Sequence, residues 1–166
     1  MASSHPTTTN TRCRPVACHH LQAPLACDRL LIELLVLLNA MVPLPGETAG
    51  EWWANTGQAQ ARAEFAASQG RTLTDLFDPA EDFLHDLPPF AEPWPLDRWP
   101  DVATRFLQGR DDRLFPLEFQ RRVVRERLGI EVDNMPGGHL LASSQPSELA
   151  RRLEACHAAL LEGARR

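Results

Sequence analysis

Residues 33–40 (ELLVLLNA) form a nearly continuous apolar run of strand length, the pattern of a parallel strand covered on both faces. Two prolines and a glycine between Met41 and Gly46 end it. Val102 to Leu107 reads as a second strand, and Ile130 to Met135 as a short third one. Between these two the period changes. Phe119, Val123, Val124 and Leu128 recur at helical spacing, with Pro116 suited to the first helical position and Gly129 to the stop. Pro146 and Glu148 open a last helix with Leu149, Leu153, Cys156 and Leu160 on one face. Strand, helix, strand, helix with right-handed crossovers predicts a parallel sheet and the α/β class.

The rest of the chain frames this alternation. Residues 1–22 show no apolar period and a run of Ser and Thr, so they are expected to be disordered. Ala23 to Leu31 suits a short helix. Residues 47–69 are alanine-rich and helix-prone from about Gln58, with Gly70 as the stop. A second short helix is expected over 79–85. Pro88, Pro89, Pro93, Pro95 and Pro100 then force an extended loop that carries Trp94 and Trp99. The block from about 47 to 100 therefore reads as a helical insertion between two strands, within one partial domain at 23–166.

A chain of 166 residues with 43% hydrophobic content fits one globular domain. The net charge of −5 argues against nucleic acid as the main partner. The stretch from Leu30 to Leu44, broken by Glu33 and Asn39, is too short to span a bilayer, so no membrane partner is expected. Cys13, Cys18, Cys27 and Cys156 lack the spacing of a disulfide framework, and no signal peptide is visible. A reduced, cytoplasmic setting follows as the default. No cofactor is implied.

The candidate chemistry lies just past the second and third strands. Asp111 and Asp112 follow one, and His139 follows Gly137 and Gly138 after the other. Functional groups of parallel sheets gather at the carboxyl ends of the strands. An acid followed by a histidine is the second half of a nucleophile–acid–histidine triad in hydrolase order. The carboxylate would fix the imidazole tautomer and steady the imidazolium. On spacing alone, Asp111 and Asp112 serve equally well as turn caps and His139 as a loop residue.

The motifs go further. Asp112-Arg-Leu-Phe-Pro-Leu-Glu-Phe-Gln120, Met135-Pro-Gly-Gly-His-Leu-Leu-Ala142 with Gln145-Pro-Ser-Glu-Leu149, and Ala40-Met-Val-Pro-Leu-Pro-Gly-Glu47 are spread along the segment that runs from about Ala23 to the end. That segment resembles α/β-hydrolase-fold proteins of the plant methyl-esterase and hydroxynitrile-lyase type and their bacterial relatives. The resemblance implies the C-terminal portion of an α/β-hydrolase parallel sheet with a helical cap insertion. It makes Asp112 the acid and His139 the general base, with Asp111 the lesser candidate. It also implies a small ester-like ligand, with hydroxynitrile cleavage as the sister chemistry.

One part of that machinery is missing from the sequence. No Gly-x-Ser-x-Gly elbow occurs anywhere in the chain, and alignment from Ala23 places Ala17 near the nucleophile position. Cys18 is flanked by His19 and His20 instead of the glycines a strained elbow needs. Cys13, Cys18, His19 and His20 fit no standard zinc spacing, so no metal site is expected. Trp52, Trp53, Trp94 and Trp99 are expected to pack the insertion against the core more than to line an acyl pocket. His85 and Asp86 could face the site. The expectation is a truncated hydrolase homologue, inactive as this chain. The alternatives are a non-catalytic interaction protein, self-associating through an exposed sheet edge at Leu34–Asn39, and the product of a frameshifted or mis-started gene.

Overall fold

The computed structural model describes residues 32–76 and 92–163. The expected disordered segment, the helices expected at 23–31 and 79–85, and Cys13, Ala17, Cys18, His19, His20, His85 and Asp86 lie outside the described residues.

Strands β1 (Leu34–Leu38), β2 (Ala103–Gly109) and β3 (Val132–Met135) form a parallel sheet in the order β1-β2-β3. Leu37 aligns with Phe106, and Phe106 with Val132. Mixed with the helices below, this is the α/β arrangement that the alternating periods predict. β2 runs to Gly109, two residues past the apolar run, because Gln108 and Gly109 still pair with Asn134 and Met135. A buried glutamine hid the end of the strand from a reading based on apolarity.

The insertion holds two helices instead of the one expected before Gly70. α1 (Ala49–Thr56) starts at a capping box: Glu51 N–H donates to Thr48 Oγ1 at 3.2 Å, and Thr48 N–H donates to Glu51 Oε2 at 2.8 Å. Gly57, at φ 69°, ends α1 in a left-handed turn and starts α2 (Gln58–Ser68). A short 3-10 turn follows at Thr74–Leu76. Pro116 precedes α3 (Leu117–Leu128) as its cap, with extended ψ 141°, instead of occupying the first helical position. α4 (Leu141–Ser144) and α5 (Pro146–Gly163) complete the chain.

Alternate residues of the strands point to opposite faces. Leu37, Phe106 and Val132 pack with Trp52, Phe115, Phe119, Val123 and Val124 from the α1 and α3 side. Leu107 and Met135 pack with Leu141 and Leu149 from the α4 and α5 side, joined by Val36 and Leu38. Trp52 is the centre of the first layer. It stacks edge-on against Phe115 and Phe119 at 5.2 and 5.7 Å, and its indole N–H donates to the Val42 carbonyl at 3.1 Å. Trp94 and Trp99 stack on each other at 4.8 Å, and Trp99 Nε1 donates to Pro43 O. These tryptophans pin the insertion to the core, as the packing reading expects.

A buried ion pair fastens the start of the insertion to the far end of α3. The Arg127 guanidinium donates to Glu47 Oε2 at 2.5 Å and to Oε1 at 3.1 Å, and the same carboxylate accepts from Asn55 and from the Leu44 N–H. Burial alone pushes the Glu47 carboxyl up, but the bonds from Arg127, Asn55 and Leu44 outweigh it and hold the group below its ordinary value.

The α5 side is thinner than its sequence predicts. Leu149 is buried, yet Leu153 and Leu161 are 40% and 42% exposed, as is Ile32 ahead of β1 at 44%. Among the described residues no strand pairs with the outer edge of β1. No helix among them is long and apolar enough to cross a membrane.

Candidate functional site: a buried acid–histidine pair

Two turns meet at the carboxyl ends of β2 and β3. The turn after β2 begins at Gly109, where a side chain would overlap the carbonyl oxygens of Gly137 and Gly138, so only glycine allows the two loops to touch. Arg110 N–H donates to Met135 O at 2.8 Å and Asp111 N–H to Gly137 O at 2.9 Å. Asp111 Oδ2 in turn accepts the Gly137 N–H at 3.1 Å. Gly137 itself sits at φ 121°, a conformation that side chains disfavour. Asp111 is therefore exposed and holds the histidine loop, while its neighbour faces inward.

Asp112 is fully buried, and His139 shows 10% of its side chain to solvent. His139 Nδ1 lies 2.9 Å from Asp112 Oδ2. The other carboxylate oxygen, Oδ1, accepts the Leu114 and Phe115 N–H groups at 2.8 and 3.0 Å. Gln108 Nε2 donates to Oδ2 at 2.9 Å. Backbone and amide N–H groups can only donate, so this is a socket for a carboxylate acting as acceptor. With Oδ2 accepting, the imidazole proton belongs on Nδ1, which leaves the ring lone pair on Nε2. The Phe115 ring stands edge-on to the imidazole at 5.3 Å and 84° and walls one side of it.

Compared with known proteins, the chain has no match: no family model, no curated protein and no solved structure corresponds to it. The geometry of the site is thus the basis for a functional reading.

Of the residues singled out from the sequence, the structure brings Asp112 and His139 together and separates Asp111 from the pair. Two contributors were missed. Asn39, just past β1, is buried and adopts φ 44°, rare for a residue with a side chain. Its Nδ2 donates to His139 O at 2.5 Å and to Gly138 O at 3.3 Å, and its Oδ1 accepts the Gly109 N–H at 2.7 Å. One amide thus ties the histidine loop to the ends of β1 and β2. Nothing in the sequence beyond an asparagine closing an apolar run signals this. Gln108 is the second, a buried polar residue at the end of a strand; its Oε1 has no partner among the described residues, a cost of about 1–3 kcal/mol.

A cleft of about 610 Å3 lies between α2 and α3, lined by residues including Gln60, Glu64, Phe65, Arg110 and Arg122. Neither Asp112 nor His139 lines it. Among the described residues no group of three or more His, Cys, Asp or Glu side chains is placed to hold a metal ion.

Proposed function

We propose that Asp112 and His139 are the proton-relay part of an α/β-hydrolase-type protein related to small carboxylic-ester hydrolases. The observation that carries the reading is the buried Asp112 carboxylate, clamped by three donors and set 2.9 Å from His139 Nδ1. In the proposed chemistry His139 Nε2 removes a proton from a nucleophile as it attacks an acyl carbon, and returns it to the leaving group. Asp112 keeps the imidazole in the competent tautomer and steadies its positive charge.

The sequence contains no Gly-x-Ser-x-Gly elbow to present such a nucleophile. The proposal therefore assigns this chain a relay without an ester-cleaving nucleophile of its own. Purified protein is expected to leave p-nitrophenyl acetate at the buffer rate. Turnover above that rate, abolished by His139→Ala, would overturn this assignment.

A second reading, a strand-pairing interaction protein, is supported by the outer edge of β1. Among the described residues that edge has no partner, and its sequence carries no lysine, proline or charge of the kind that guards sheet edges. Residues 34–38 (LLVLL) also read the same in both directions about Val36. A second copy can therefore pair antiparallel with it, leucine on leucine, about a two-fold axis. Light scattering behind size-exclusion chromatography decides this: a dimer supports the reading, and a monomer throughout a concentration series sinks it.

A further inference from the structure

We infer that Gln108 is a positioning residue of the acid–histidine pair, locking the Asp112 carboxylate and the aromatic wall of His139 into one unit. The inference rests on the relay reading of that pair. Gln108 is fully buried at the penultimate position of β2. Its Nε2 is 2.9 Å from Asp112 Oδ2 and 2.9 Å from the Phe115 carbonyl. Both neighbours are acceptors, so the amide has one possible orientation; turned over, it would set oxygen against two oxygens.

The orientation leaves Oε1 unpartnered among the described residues. An apolar residue of similar volume would avoid that penalty. What the glutamine supplies in return is a bridge. Asp112 Oδ2 is shared between Gln108 and His139, so the amide fixes the direction in which that oxygen faces the imidazole. The second Nε2 bond holds the Phe115 carbonyl, whose residue gives its N–H to Asp112 Oδ1 and its ring edge to His139. The acid, the wall and the imidazole thus move together. Gln108 touches no reacting atom; it acts through Asp112 and Phe115.

The test is NMR on the full chain, following the Gln108 side-chain NH2 and the His139 imidazole through a pH titration. The Gln108 resonances are expected to shift with the same midpoint as His139, because both groups bond one oxygen. In Gln108→Met the His139 Nδ1 proton is expected to exchange about tenfold faster, while backbone amide protection in β2 and β3 is retained. A protected Nδ1 proton with Gln108 resonances flat across the His139 transition would overturn the inference and leave the relay standing. Wild-type exchange at Nδ1 in Gln108→Met would do the same without reference to the titration. Wild-type protein lacking a protected Nδ1 proton would overturn the relay reading itself, and the inference with it.

Discussion

The two sides of the sheet are finished to different degrees. At the β2–β3 end, Asp112, His139, Gln108 and Asn39 form a connected hydrogen-bond network reaching three strand ends. On the β1 side, a strand of five apolar residues has only Leu37 fully buried, and the α5 stripe beyond Leu149 is half open to solvent. Polar precision and apolar coverage are separable properties. A fold can hold a polar site to hydrogen-bond tolerance while the strand next to it lacks the cover its own composition calls for.

The contrast predicts a graded response to substitution. Asp112→Ala should have the largest effect, about 3–5 kcal/mol of stability, because it orphans two backbone N–H groups, the Gln108 amide and the imidazole at once. Denaturant unfolding measures it, and a loss under about 1 kcal/mol would mean that the network is not built as described. Asn39→Ala should follow at about 2–4 kcal/mol, since it strands the buried Gly109 N–H and leaves a Cβ residue at positive φ without compensation.

Glu47→Gln probes the ion pair that joins the insertion to α3. The folded carboxyl lies below its ordinary value of 4.5, so its contribution is present above that pH and is lost as pH falls through the folded value. The variant should therefore be less stable by about 1.5–3 kcal/mol at neutral pH, with the gap to wild type closing below about pH 4.5. A gap that stays constant with pH would assign the effect to packing instead of charge.

The smallest change in stability belongs to the open side. Ile32→Lys and Leu153→Glu should each shift unfolding by no more than about 0.5 kcal/mol, while lowering any self-association seen by light scattering. If either costs as much as the Asn39 substitution, the β1 side is better covered than its exposure indicates.

The sequence made the repeating part of this architecture legible. Apolar runs located β1, β2 and β3, and the 3.6-residue stripe located α3, because burial on a regular element leaves a regular trace. Asp112 and His139 stood out because each follows a strand in a turn, but on spacing alone they served equally well as turn residues, and their pairing was implied by the motif resemblance. α1 was written in the Thr48-x-x-Glu51 capping box but was masked by the alanine-rich run around it. Asn39 and Gln108 were not legible, for a physical reason. Their roles come from contacts 99 and 100 residues away for Asn39, and for Gln108 from a side chain aimed inward at a strand end. No local period encodes either. The failure of α5 to bury Leu153 is likewise a property of what lies opposite the helix, which its own stripe does not specify.

The imidazole tautomer tests the central claim most directly. Nitrogen-15 NMR of His139 at neutral pH should show the proton on Nδ1, held by Asp112, and an unprotonated Nε2, with Asp112→Asn disturbing that pattern. A proton resting on Nε2, or an imidazole averaging freely between tautomers in the wild-type chain, would contradict the relay.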